Sequence, residues 1–195
     1  MIFGGRVYSV LIVSASERFN EGLLRLLPRG EYEPIVIAGS VGEGRRRLVE
    51  REFDIVLINA PLPDDFGTGL AMKAGEGRGA ALMFVAADLY DEVYAKVVDH
   101  GVLTLARPAP AKMVKQGLDW LRATRERLRL AERRTASVEK KIEEIRLVNR
   151  AKWILISDLK MTEEDAHRYI EKQAMDRCIS KREMAENIIR TYHAI

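Results

Sequence analysis

Hydrophobic positions follow two regimes along the chain. In the N-terminal part, Val7–Val13, Ile55–Ile58 and Ala81–Val85 are short continuous apolar runs rich in β-branched residues, with weaker runs at Pro34–Ala38 and Val102–Leu105. Amphipathic stretches at Glu17–Leu27, Val41–Arg51, Gly67–Lys73 and Leu89–His100 separate them. A strand that is apolar at every position must be covered on both faces, as in a parallel sheet with helices on either side. The alternation therefore predicts an α/β fold, a doubly wound parallel sheet of five strands. In such sheets the functional edge lies beyond the carboxyl ends of the strands, which directs attention to Ser14, Asn59, Ala86 and Arg107.

The second regime is helical. After Gly117 the chain contains neither Pro nor Gly, and one helix is predicted from about Lys112 to about Asp158. A heptad frame runs through Val114, Gly117, Leu121, Thr124, Leu128, Ala131, Thr135, Val138, Ile142, Ile145 and Asn149, and it is thin between Thr124 and Thr135. Such a helix would extend about 70 Å, too long for a small domain to bury, so it is expected to act as a homodimerisation arm. The alternative is a lone charged linker helix. Two shorter helices are predicted at Glu163–Arg177 and Lys181–Tyr192. Thr162 with Asp165, and Ser180 with Glu183, have the spacing of N-terminal capping pairs. Their inner faces would be Ala166, Ile170 and Ala174, and Met184, Ala185, Ile188 and Ile189, closed by Ile154 and Leu155 of the long helix.

Composition changes this picture in one respect. The net charge of +3 over 195 residues is unremarkable, but residues 1–121 carry 14 Lys+Arg against 16 Asp+Glu, whereas residues 122–195 carry 18 against 13. The basic excess is C-terminal, as a nucleic-acid contact surface or a solvated helical face would require. No stretch has the length and apolarity of a membrane span, and the start, MIFGGRVYSVLIV, runs into a strand rather than a cleavable signal, so a cytoplasmic protein is expected. One cysteine, Cys178, excludes an internal disulfide and a cysteine cage for a metal.

The run NRAKWILISDLKMTEEDAHRYIEKQAMDRCISKREMAENII from Asn149 resembles the ANTAR domain, the RNA-binding module of bacterial transcription antitermination regulators. The resemblance covers residues 139–195. It rests on Ala151-Lys152 with Leu155, on Glu164 and Ala166 in MTEEDAHRYI, on Gln173, Ala174 and Met175, and on Arg182 with Ala185. It implies a dimer that grips paired hairpin loops in nascent transcripts. Loop bases are read by stacking and phosphates by cations, which makes Lys152, Arg168, Tyr169, Lys172, Arg177, Lys181 and Arg182 the candidate RNA-binding residues, with His167 and Tyr192 as further rings. Each taken alone could equally be a solvated side chain, and Tyr169 and Tyr192 could be partly core.

The N-terminal half resembles the receiver domains of two-component response regulators, whose fold is flavodoxin-like, with DIVLINAPLPDDFG after the third strand. That family's chemistry needs a carboxylate acceptor, further acids for Mg²⁺, a hydroxyl and a lysine. Here Asn59 stands at the acceptor position, Ser14 and Ala15 replace the acidic pair, Ala86 the hydroxyl, and Arg107 the lysine before Pro108. An amide is a poor nucleophile, so this implies a degenerate pseudo-receiver that is not phosphorylated. Such a unit would dock a regulatory protein or a small ligand. Asp64 and Asp65 are expected to cap the turn before Gly67 rather than to accept phosphate.

The expected organisation is a receiver-like domain at 1–121, a coiled-coil linker at 122–138 and the RNA-binding domain at 139–195. An enzyme is not expected, nor a cofactor or metal. Cys178 and His167 lack a third orienting group, so Cys178 reads as a partly buried thiol, and His100 and His193 suggest no ligand set. Gly75, Gly77 and Gly79 read as a mobile loop, because no Lys-Ser or Lys-Thr follows them. The rival functions are a DNA-binding response regulator, with Asp176–Ser180 as the turn of a helix-turn-helix, and an interaction protein whose coiled coil is its function.

Overall fold

The computed structural model describes residues 6–192, so Met1–Gly5 at the start of the chain and His193 lie outside it. The chain forms two compact units, Met1–Leu130 and Ala131–Ile195. The first unit alternates strands and helices: β1 (Tyr8–Val13), α1 (Glu17–Leu24), β2 (Tyr32–Ala38), α2 (Val41–Glu50), β3 (Ile55–Asn59), α3 (Thr68–Glu76), β4 (Ala80–Ala86), α4 (Tyr90–Val97) and β5 (Val102–Arg107). The 49-residue α5 (Ala111–Leu159) starts in this unit and continues into the second, where α6 (Glu163–Asp176) and α7 (Lys181–Tyr192) complete the chain.

The five strands are parallel in the order β2-β1-β3-β4-β5. Every residue of β3 is buried because alternate side chains enter different cores. Val56 and Ile58 join Leu11, Val13, Leu70 and Val97 on the face covered by α2, α3 and α4. Ile55 and Leu57 join Ile12, Leu82, Phe84, Leu118 and Leu121 on the face covered by α1 and the first turns of α5. The expected doubly wound sheet is therefore present.

Departures from the expected boundaries have local causes. Strand β2 starts two residues before Pro34; it is an edge strand, and its register with β1 shifts between the Tyr8 and Val10 pairs, so the missing proline N–H is tolerated. Helix α1 stops at Leu24 rather than Leu27, since Leu26 and Leu27 donate to carbonyls three residues back, at 2.9 and 3.2 Å, in a tightened turn before Pro28. Helix α4 is shorter than Leu89–His100, with single 3₁₀ turns on either side and a left-handed Gly101 at its end. Of the glycine run, Gly77 and Gly79 lie in the connection between α3 and β4 and Gly75 does not. Gly75 lies inside α3, where a Cβ would sit 2.2 Å from the His100 carbonyl oxygen, and one at Gly79 would sit 2.6 Å from that of Phe53. Backbone approaches this close are what the glycines permit.

The first twenty residues of α5 belong to the first unit, tied to it by a polar cluster at the amino ends of β1 and β3. Asp54 Oδ1 accepts from Arg125 Nε at 3.0 Å and from Arg129 Nη2 at 2.6 Å, while its Oδ2 accepts from the Ser9 amide at 3.1 Å. Glu126 accepts from Arg129 at 2.8 Å and from the Tyr8 hydroxyl at 3.1 Å. Arg122 and Arg129 lie over the Tyr8 ring, 5.3 and 5.5 Å from its centre.

The second unit packs α6 and α7 on the C-terminal turns of α5 around Ala151, Ile154, Leu155, Ala166, Ile170, Ala174, Met184, Ala185 and Ile188. Thr162 Oγ accepts from the Asp165 amide at 3.2 Å. Ser180 and Glu183 form a reciprocal capping box, the Ser180 amide donating to Glu183 Oε2 at 2.9 Å and the Glu183 amide to Ser180 Oγ at 3.1 Å. No helix among the described residues is long and apolar enough to cross a membrane.

Candidate functional site

The carboxyl ends of β1 and β3 hold a neutral hydrogen-bonded chain. Asn59, at the last position of β3, is 5% exposed and donates from Nδ2 to Ser14 Oγ at 3.0 Å. Ser14 Oγ also accepts from the Ser16 amide at 3.2 Å, and the Ser14 carbonyl accepts from Asn20 Nδ2 at 3.4 Å. Arg107, at the end of β5, donates to the Ala60 carbonyl. Ala15 is exposed and Ala86 half-buried, and neither brings a polar side-chain group. The five positions supply one amide, one hydroxyl, two methyls and a guanidinium. That set does not fit Mg²⁺, which takes carboxylate oxygens, and no cluster of three or more acidic, His or Cys side chains suited to a metal occurs among the described residues.

The two aspartates beyond β3 act as caps. Asp65 Oδ1 accepts from the Gly67 amide at 2.7 Å, in the turn where it was expected. Asp64 instead reaches across to α2, where its oxygens accept from the Val41 and Gly42 amides, each at 2.8 Å. These two bonds to first-turn amides, Gly42 foremost, hold its carboxyl below the ordinary range.

In the second unit, a shallow cleft of about 280 Å³ is lined by Lys141, Ile145, Asn149 and Lys152 of α5, His167 of α6 and Lys181 of α7, with Glu144 and Val148. Two of the seven sequence candidates, Lys152 and Lys181, line it. Each is already held by an acid of the same unit: Lys152 Nζ by Glu163 Oε1 at 3.1 Å, and Lys181 by Glu171, which also lies 3.3 Å from His167 Nε2. The Lys181 bond and charge, followed by His167, lower the Glu171 carboxyl. Arg182 lines a different cleft with Lys140, Ile142 and Arg146, and donates to Glu186 at 3.0 Å. Arg168 is exposed and held by Glu164. Lys172 and Arg177 are exposed and form no ion pair among the described residues. Tyr169 is 36% exposed, and Tyr192 packs against the core of the unit.

Residues 136–189 match the family profile of the ANTAR domain. The C-terminal unit is an ANTAR domain. Along 93% of its length the chain is also similar to the transcriptional regulatory protein PdtaR of Mycobacterium tuberculosis, at 25% identity over 186 residues that make up 89% of that protein. Solved structures similar to the N-terminal unit include the signal receiver domain of an HD-domain protein from Pseudomonas fluorescens, with TM-score 0.56 and 20% identity over 66% of this chain and 95% of that one. A second is a putative response regulator from Chloroflexus aurantiacus, with TM-score 0.53 and 20% identity over 60% of this chain and 99% of that one. These likenesses establish a receiver-like fold ahead of the ANTAR domain.

Sequence reasoning missed two features of the ANTAR unit. Lys141 shares a helical face with Ile145, Asn149 and Lys152, and steps of three or four residues from Lys152 would have found it. Trp153 is 68% exposed, the most exposed aromatic ring of the unit, and its neighbours Ile154 and Leu155 point inward. Cys178 is exposed rather than partly buried. It closes α6 with φ at 52°, its amide donating to Met175 and that of Ile179 to Ala174, both at 3.0 Å. This is a Schellman motif in which the side chain is directed outward.

Proposed function

We propose that the protein is an RNA-binding transcription antitermination regulator that binds paired hairpins as a dimer, with a receiver-like unit that is not phosphorylated. The observation that carries this reading is the ANTAR domain itself, whose three helices gather Lys141, Lys152, His167 and Lys181 in one cleft. Cations and rings on a compact helical unit suit unstacked loop bases and their flanking phosphates. Lys172, Arg177, Arg168 and Tyr169 would extend the contact beyond the cleft, and Arg182 would serve it from its neighbouring face.

The dimer reading is supported by Val138 and Ile142, which are 57 and 45% exposed four residues apart in the heptad frame of α5, whereas Ile145, next in that frame, borders the RNA cleft. A second copy of α5 would cover the first two. We divide the chain into a pseudo-receiver at 1–121, a linker at 122–138 whose first turns are tied down by Arg125 and Arg129, and an RNA-binding part at 139–195. The neutral Asn59–Ser14 pair supports the lack of phosphotransfer, since a delocalised amide lone pair does not attack phosphorus. A regulator acting on transcripts would work in the cytoplasm.

Gel-shift competition between a two-hairpin RNA and duplex DNA, repeated across salt concentrations, tests the reading. RNA preference with a steep salt slope supports it. Equal or stronger binding to duplex DNA, or no salt-dependent binding to either, overturns it. Light scattering on Ile142→Glu tests the dimer: a folded monomer is expected, and an unchanged dimer places the interface elsewhere.

A further inference from the structure

A cleft of the receiver-like unit lies at the carboxyl end of its sheet, above Phe84 of β4 and between the amino ends of α1 and α5. Its volume is about 610 Å³, and it is lined by Arg18, Phe19, Phe84, Ala86, Arg107 and Val114, with Ser16, Pro108 and Ala109 at its edge. Phe19 and Phe84 make its apolar floor, in edge-to-face contact with ring centres 5.0 Å apart. Two guanidiniums and no carboxylate line this space. Neither arginine forms an ion pair among the described residues, and Arg107 Nε is buried without a hydrogen-bond partner.

The cleft continues as a groove of about 230 Å³ between α1 and α5, sharing Arg18, Phe19, Ala109 and Val114 and adding Gly22, Leu23 and Leu26. A Cβ placed on Gly22 would meet no atom within 4 Å, so the groove is open there. A cationic mouth over an aromatic floor that opens into an apolar channel has a definite complement: an acid head joined to an apolar body. The one buried donor there without a partner, Arg107 Nε, favours a charged acceptor, and the joint volume is that of a small-molecule site.

We infer that this groove binds a small amphiphilic anion, with its carboxylate or phosphate on Arg18 and Arg107 and its apolar body over Phe19 and Phe84 toward Gly22 and Leu26. The cleft adjoins the Asn59–Ser14 chain, sharing Ala86 and Arg107 with the five positions described above and touching the chain at Ser16, and it does not depend on the RNA-binding reading. A ligand seated there bridges β4, β5 and the start of α5 through Phe84, Arg107 and Val114.

Isothermal titration calorimetry on the full chain tests this with 4-phenylbutyrate and phenyl phosphate, set against 4-phenyl-1-butanol, acetate and inorganic phosphate. Saturable binding is expected for at least one aryl anion, with the alcohol and the bare anions about tenfold weaker or worse. Preference between the two aryl anions assigns the head group as carboxylate or phosphate. Arg18→Gln is expected to weaken binding about tenfold. Gly22→Leu replaces a helical glycine by a better helix former and should fold, while its side chain blocks the groove and weakens 4-phenylbutyrate more than phenyl phosphate. Equal affinity for the alcohol and the anions overturns the inference. So does the absence of saturation by both aryl anions, or affinity that neither variant changes while circular dichroism reports a native fold.

Discussion

Arg125, 71 residues along the chain from Asp54, donates from Nε to that aspartate's Oδ1 at 3.0 Å, and its side chain is only 9% exposed. A carboxylate this enclosed persists because the Ser9 amide and Arg129 complete its shell. Asp54→Ala removes the carboxylate that Arg125 and Arg129 share and is expected to cost about 3 kcal/mol of unfolding free energy, measured by urea titration.

The same cluster sets an acid limit. Burial, the largest influence on Asp54, pushes its carboxyl upward, but the Ser9 amide, then Arg125 and Arg129, outweigh it, and the net shift is downward. A carboxyl lowered in the folded state stabilises fully above its unfolded value of about 4, and that stability is lost as pH falls toward the folded value. The difference in stability between the parent and Asp54→Asn should therefore be constant near neutrality and shrink below about pH 4. A difference that instead grows toward acid would contradict the ion-pair account.

An acid placed at Asn59 should not be enough to create phosphotransfer chemistry there. In Asn59→Asp the new carboxylate would lie at a position 5% exposed, with Ser14 and Ala15 where two acids would be needed to hold Mg²⁺. The variant is expected to lose about 1–3 kcal/mol at neutral pH, less as pH falls and the buried acid takes up a proton. After incubation with acetyl phosphate and Mg²⁺, mass spectrometry should find no phosphoryl adduct on this variant or on Asp64 and Asp65 of the parent. An adduct at Asp64 would be hard to reconcile with its two bonds to the α2 amides.

What could be read from the sequence was what short-range chemistry decides. Strand β3 is legible because both faces are apolar, α5 because neither Pro nor Gly interrupts it after Gly117, and the starts of α6 and α7 because Thr162–Asp165 and Ser180–Glu183 cap within three residues. Features made by distant parts of the chain were hidden. Asp64 caps a helix 22 residues upstream, Asp54 pairs across 71 and 75, and Gly75 is small because the His100 backbone lies against it. The candidate RNA residues were recognised by type. Their grouping was not, because consecutive Lys181 and Arg182 line different clefts.

Cys178 offers a test of the ANTAR core that leaves its surface charge intact. With φ at 52° it occupies the left-handed position that ends α6, where a Cβ is disfavoured and glycine is not. Cys178→Gly is expected to raise stability by about 0.5–1 kcal/mol, the relief of strain being partly offset by the freer unfolded chain. Thermal melts should show the rise, with RNA affinity unchanged. A lower melting temperature would mean that the cysteine side chain makes a stabilising contact at this turn.

The division of the basic residues between two clefts gives the RNA reading its sharpest test. If the cleft lined by Lys141, Lys152 and Lys181 meets phosphates, Lys152→Ala and Lys181→Ala should each lower the slope of log affinity against log salt by about one, since each removes one phosphate contact. Arg182→Ala should lower the slope by less, because that residue reaches the RNA only from the neighbouring cleft. Trp153 would act differently. An exposed indole that stacks on a loop base contributes through its ring face, so Trp153→Ala should weaken hairpin binding about tenfold with no change in salt slope. Folding should be unaffected, because the ring is 68% exposed and lies outside the core of the unit. The opposite pattern, with Arg182 governing the slope and Trp153 silent, would move the RNA to the other face of α5.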